Sequence, residues 1–328
     1  MNKDHIISAA VITCLVALTP TSAQQTSGQP TEAARPRRTE ADARAAAERN
    51  RTEREKQRQL TGAPVELIAD YIKANVGPVP DSLGVSPFYK KYADAGGIPV
   101  IASEKVPDAA LLVARDIVNT MLAARPDIRN ALIAKKWRTG VIAEVEMTMD
   151  IPEYSKMKRP GAPKDEPITQ EDRDYHANRS RGLGGNPTTG AEENLLGYPG
   201  TRYWGEHIFV HEFSHAIMGG GIREVDPGMY EEIRAAYNEA MAAGKYVHPD
   251  GRKHYATTNP SEYWAEGAQW WFFSNYGECF AGNVKVETPE EFAAYDPKLH
   301  ELLSRVFKTH HIPMDVFHGK RIRPVKGC

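Results

Sequence analysis

Only three cysteines occur in 328 residues and none has a CxxC partner, which leaves too few thiolates for a cysteine-held metal centre. Net charge is nearly absent as well. Forty-one Lys and Arg stand against 43 Asp and Glu, so no global field draws the chain toward nucleic acid or an anionic membrane. The apolar run at residues 6–18 is too short to span a bilayer comfortably, since a helix needs about 20 such residues. There is no GxSxG elbow for a serine nucleophile and no internal repeat. What is present is ordinary globular composition, 41% hydrophobic and 26% charged, with room for one large domain or two small ones plus extensions.

The first 23 residues carry an export pattern: a short polar start with Lys3, the apolar run, then Thr21-Ser22-Ala23 as a cleavage site. That implies a secreted or periplasmic protein with no stable membrane insertion after signal removal; an uncleaved anchor is the alternative. Cys14 lies inside this segment and lacks the small residue before it that lipidation would want. Cys279 and Cys328 then remain, and an exported chain commonly pairs two such cysteines, here pinning the C-terminus to the body. A pair of free thiols is the other reading. Residues 24–60 are rich in Ala, Arg, Glu, Gln and Thr and offer no apolar face, so they read as a disordered or solvated helical spacer. Its mixed charges do not make a nucleic-acid arm.

Order is expected from about Val65, where Leu67, Ile68, Tyr71 and Ile72 recur at helical spacing up to Gly77-Pro78. A Gly96-Gly97 turn precedes an extended segment at 98–101. Helices are expected over 108–124 and after Pro126, and a strand over 140–149, where Val141, Ala143, Val145, Met147 and Met149 alternate. Residues 152–200 are loop-rich and contain Arg181-Gly182-Leu183-Gly184-Gly185. A phosphate cradle should follow a strand and open a helix, whereas this run leads into Asn186-Pro187; it reads as a structural or site-rim loop.

Within 203–218, expected as one helix ended by Gly219-Gly220-Gly221, lies His211-Glu212-Phe213-Ser214-His215. This HExxH spacing puts two imidazoles on one helical face to hold zinc, with Glu212 handling protons. The surrounding residues are apolar on nearly every side, so the helix is expected to be buried. Burying such polar groups unpartnered costs roughly 2–7 kcal/mol each, and a metal ion supplies the partner. A hydrogen-bonded structural cluster is the alternative. His207 extends the series by four but is expected at the helix start or cleft rim, outside the site. Met218 and Gly221 stand where HExxHxxGxxH needs Gly and His, which removes the metzincin option.

The third ligand is sought downstream, where Asn259 and Pro260 begin a second helix carrying Glu262 and Glu266 on one face. Glu262 also occupies the position of a capping-box acid, which would leave Glu266 as ligand. The pattern of glutamate-type zinc hydrolases favours Glu262 as ligand with Glu266 in support. Between the two helices, a spacer helix is expected from Asp226-Pro227 to Gly244. The late stretch with Lys308, His310, His311, His318, Lys320, Arg321 and Arg323 reads as a solvated tail, against a second metal site.

HExxH followed by a glutamate on its own helix resembles the gluzincin metallopeptidases. The interval from His215 to Glu262 exceeds that of the thermolysin type and is closer to the anthrax lethal factor catalytic domain. That domain places a tyrosine seven residues before the ligand glutamate, and Tyr255 stands at that offset here. Glu262-Tyr263-Trp264-Ala265-Glu266 is likewise similar to the domain's segment of acid, two aromatics, Ala and acid. The resemblance spans about residues 205–275. It implies an α+β, zincin-like domain over 61–328 with a small mixed sheet, an active-site helix carrying HExxH and a mostly helical C-terminal part. One Zn2+ held by His211, His215 and Glu262, with Glu212 as general base and Tyr255 as oxyanion donor, would hydrolyse peptide or protein substrates. Residues 61–200 would form an upper part whose strand 141–149 is the sheet edge that receives the peptide, by analogy with such folds. A zinc amidase acting on cell-wall or other non-protein amides, and a non-catalytic zinc-containing binding protein, are the competing readings.

Overall fold

Short β-branched runs alternating with apolar-faced helices build an α+β fold around one mixed six-stranded sheet. The computed structural model describes residues 38–61, 76–198, 201–312, 325 and 328. The expected export signal, the helical run from about Val65 and the basic residues from His318 to Arg323 lie outside the described residues.

In chain order, helix α1 (Glu40–Thr61) precedes the short strand β1 (Gly77–Pro78) and a hairpin of β2 (Lys91–Asp94) and β3 (Pro99–Ala102). Gly96 and Gly97 reverse that hairpin at φ of 65° and 91°, a region side chains resist. Helix α2 (Asp108–Met121) buries Leu111, Leu112, Ile117, Val118 and Met121, and α3 (Pro126–Ala134) opens with its proline in the first turn. Strand β4 (Thr139–Ile142) returns parallel to β3. After α4 (Gln170–Arg179) come β5 (Gly182–Leu183), β6 (Thr188–Ala191) and the single turn α5 (Glu192–Leu195). The sheet order is β1-β2-β3-β4-β6-β5; β3, β4 and β6 run parallel and the outer pairs antiparallel. The C-terminal part is mostly helical: α6 (Ile208–His215), α7 (Pro227–Ala242), α8 (Pro260–Trp271), a hairpin of β7 (Glu278–Phe280) and β8 (Val284–Val286), α9 (Pro289–Tyr295) and α10 (Pro297–Ser304).

Three expectations are corrected. The strand foreseen over 140–149 ends at Ile142 and lies between β3 and β6, so it is no edge. Its apolar alternation continues through buried residues, but the Arg181 guanidinium takes the carbonyls of Ala143 and Glu146 and bends the chain out of the ladder. The edge beside the helix that carries HExxH is β5, inside the glycine-rich loop. The helix foreseen over 203–218 begins only at Ile208. It is not ended by Gly219-Gly220-Gly221 either: a wider π-type turn covers Ala216–Ile222 and a last turn Arg223–Val225. Gly220 serves close approach, since a Cβ there would stand 2.8 Å from Leu132 Cδ2.

The third correction concerns the charged spacer, which is helical over Glu40–Thr61 and docked rather than disordered. Arg44 Nη2 donates to Asp150 Oδ1 at 2.6 Å, Arg173 pairs with a buried Glu40 at 3.1 Å, and Arg54 pairs with Glu144 while lying 4.3 Å over the Tyr198 ring. Polar heads with methylene stems make the contact that an apolar face usually makes. α7 matches expectation, with Asp226 accepting from the Met229 amide at 3.0 Å.

Cys279 and Cys328 form a disulfide, their Cα atoms 5.7 Å apart across a separation of 49 residues. No helix among the described residues is long and apolar enough to cross a membrane. The core runs from the sheet through α6 to α8. Gly190 of β6 lets α6 lie on the sheet, because a Cβ there would meet Phe209 Cβ at 2.8 Å. On the other side Trp264, fully buried, donates from Nε1 to the Ser214 carbonyl at 3.2 Å. Trp264→Ala is therefore expected to cost about 3–5 kcal/mol, read as a lowered urea midpoint with an unchanged m-value.

Candidate metal centre

Three side chains from two helices converge. His211 Nε2 stands 3.0 Å and His215 Nε2 3.2 Å from the same Glu262 oxygen, Oε2. Donors around a tetrahedral zinc with bonds near 2.0–2.1 Å are separated by roughly 3.3 Å, so this donor set fits such an ion. His211, His215 and Glu262 are the one group of potential ligands drawn together among the described residues, their ligand atoms all within 4.8 Å of one another.

The local sequence explains the convergence. The four-residue spacing aims both imidazoles from one face of α6. The start of α6 is secured by Asn194, whose Oδ1 accepts from the Ile208 amide at 2.8 Å. On α8, Asn259 Oδ1 accepts from the amides of both Ser261 (2.8 Å) and Glu262 (3.0 Å). The cap thus uses the Glu262 amide and leaves its carboxylate to the histidines. Glu266 lies one turn on, with Oε1 3.6 Å from His211 Nδ1 and Oε2 accepting from Asn275 at 2.7 Å; it backs the site rather than joining it.

The two Nδ1 atoms point away from the convergence. That of His211 meets Gln269 Oε1 at 3.1 Å, and that of His215 meets Ser261 Oγ at 2.7 Å. Neither partner was expected from sequence, although Glu262, Glu266 and Gln269 follow the i, i+4, i+7 rhythm of a single helical face.

Glu212 is fully buried in the same helix. Strand β5 passes it at backbone contact: a Cβ on Gly182 would stand 2.6 Å from Ile208 Cγ2 and 3.1 Å from Glu212 Cγ, and one on Gly184 2.9 Å from His215 Cβ. The loop is a site rim. Arg181 at its start is turned inward, bidentate to Glu193 at 2.7 and 3.0 Å, and so is committed to the fold rather than to a phosphate. Tyr255 lies in a short 3-10 turn with its ring 6.1 Å from that of His211. Its hydroxyl is buried, and burial beside the charges of Glu262 and Glu212 holds its pKa well above that of a free phenol. His207 is fully buried immediately before α6, not at a cleft rim. His310 packs on Trp271, ring centroids 4.3 Å apart, instead of lying in a solvated tail.

Burial disfavours the charged form of His211, yet the hydrogen bond and charge of Glu262, with Glu266 and Glu212 beyond, outweigh it and lift the pKa to about 10. Burial likewise raises Glu262, but the charge of His215 and the bonds from both histidines pull it well below the usual carboxylate range. Behind them, burial and then the charge of Glu266 push Glu206 up; burial also raises Glu266, and Glu278 to about 7. Burial drives His207 down to about 3.

The chain matches no protein-family model and no curated protein sequence.

In metal-stripped protein, the raised His211 pKa contributes stability that is complete below about 6.5 and lost as pH rises through about 10. The depressed Glu262 pKa contributes stability that is complete above about 4.5 and lost as pH falls. The urea-midpoint difference between wild type and Glu262→Gln should therefore be largest between about pH 4.5 and 6.5 and shrink on either side. A difference that grows steadily to pH 10 would contradict the ion pair.

Proposed function

We propose that this chain is an exported, zinc-dependent peptidase of the gluzincin type. The observation that carries this reading is the convergence of His211 Nε2, His215 Nε2 and Glu262 Oε2, with Glu212 between the histidines on the same helix. His211, His215 and Glu262 would hold the ion, which when bound supplies Lewis acidity toward water and toward the scissile carbonyl. Glu212 takes the proton of the attacking water and passes it to the leaving nitrogen, the task its buried position beside the ligands suits. The Tyr255 hydroxyl, a donor at high pKa, stabilises the developing oxyanion. An extended peptide adds to the free side of β5, where Gly182 and Gly184 keep the strand close enough to α6 to bring a backbone carbonyl to the site. Export is supported by the signal pattern of residues 1–23 and accords with the Cys279–Cys328 disulfide.

The test is a peptide library and purified peptidoglycan, each incubated with wild type, Glu212→Ala and Tyr255→Phe, with zinc content measured alongside. Wild type should hold one zinc and cleave peptides. Glu212→Ala should keep the zinc and lose about 10²–10⁴ in kcat. Full activity in Glu212→Ala would overturn the mechanism; release from peptidoglycan alone would make the enzyme an amidase, and zinc without any cleavage a binding protein. Tyr255→Phe should lower kcat about 10²–10³-fold with KM and zinc content little changed. Unaltered kcat would leave Tyr255 with a packing role alone.

A further inference from the structure

Both ligand imidazoles are braced by one helix, α8, and by uncharged groups. The orientation of Gln269 is fixed from behind. Its Nε2 donates to the His207 carbonyl at 3.1 Å, an obligate acceptor, and reaches Glu206 Oε1 at 3.5 Å. Its Oε1 must then face His211, where it can only accept, so a His211 hydrogen sits on Nδ1. Nε2 is the nitrogen left to face Glu262, carrying the shared proton in metal-free protein and offering its lone pair to an ion when one is bound. The Ser261 hydroxyl stands 2.7 Å from His215 Nδ1, where it is able to accept in the same way. The nearby carboxylate of Glu266 lies farther from His211 Nδ1, with Oε1 at 3.6 Å, while its other oxygen, Oε2, accepts from Asn275.

We propose that Gln269 and Ser261 are the positioning residues of the metal centre, setting the tautomer and tilt of His211 and His215 as neutral acceptors, with Glu266 acting only at one remove. This rests on the zinc reading above. A carboxylate acceptor on each Nδ1 would add basicity to the ligand but also a second buried negative charge beside Glu262. An amide and a hydroxyl fix the ring without that charge.

The experiment is equilibrium zinc affinity by chelator competition on the full mature chain, with the visible spectrum of the cobalt(II) form as a second readout. The variants are Ser261→Ala, Ser261→Thr, Gln269→Met and Glu266→Gln. Ser261→Ala and Gln269→Met should each weaken zinc binding about 10- to 100-fold and shift the cobalt bands. Ser261→Thr, which keeps the hydroxyl, should return to within about threefold of wild type, and Glu266→Gln should stay within the same margin. Ser261 is only half-buried in the first turn of α8 and leaves the Asn259 cap intact, so its two variants decide the matter if Gln269→Met does not fold. Unchanged affinity and spectrum in Ser261→Ala, or a loss in Glu266→Gln as large as in Ser261→Ala, overturns this proposal alone. A wild type that binds neither ion overturns the zinc reading and this proposal with it.

Discussion

Two imidazoles and a carboxylate occupy one buried volume, and the structure around them answers the cost of putting them there. Each would lose several kcal/mol of solvation if left alone in apolar surroundings. Sharing one Glu262 oxygen between both Nε2 atoms is favourable only with positive charge between them: a proton in metal-free protein, a metal ion otherwise. The remaining architecture keeps that arrangement from relaxing. β6 supports α6 from one side through the Gly190–Phe209 contact, and α8 closes it from the other through Trp264 and the Ser214 carbonyl. The Asn259 cap fixes where the first turn of α8 begins, and hence where Glu262 projects.

The acids behind the centre follow from the same constraint. Glu206, Glu266 and Glu278 would place three more negative charges around an already charged ligand set, yet burial shifts all of them toward the neutral form. Protonated carboxyls can donate as well as accept, which suits a crowded interior where Gln269 and Asn275 already supply amide donors. Glu262 is the exception, since its histidine partners stabilise the charged form.

How much of this could be read from the sequence depends on the range of the interaction. The Asn259-Pro260 and Asp226-Pro227 starts are local signals, and those two helices begin where the signals put them. HExxH lies on a helix as its spacing requires, but that helix starts later than Tyr203 and continues past its glycines. The choice between Glu262 and Glu266 is not local. Capping-box geometry argued for one and ligand pattern for the other, and only the position of α6 against α8 separates the two. Gln269 and Ser261 are equally invisible to spacing rules, because an amide or hydroxyl on a buried helix has many ordinary uses. The strand ending at Ile142 fails for a related reason: its alternation is intact, and the residue that bends it, Arg181, lies 39 positions from Ile142. Helix α1 was one of the two states expected of its segment, but its docking is ionic, and apolar periodicity is blind to that.

The glycine-rich loop joins these strands of argument. By composition it resembled a phosphate cradle; by position it is the edge of the sheet, and the glycines are required by distance rather than by torsion. Neither Gly182 nor Gly184 takes a positive φ, yet a methyl group at either would collide with α6. The separation of edge strand and α6 is thus set by the absence of two side chains. Arg181 keeps the strand from drifting outward by anchoring its first residue to Glu193 and to the carbonyls of 143–146. Tyr154 holds the far end of the loop, with its hydroxyl on the Pro187 carbonyl. An edge strand pinned at both ends and bare in the middle presents backbone groups at a fixed distance from His211, His215 and Glu212. In the peptidase reading proposed above, such an edge would take a substrate by its main chain and leave side-chain preference to residues on the rim.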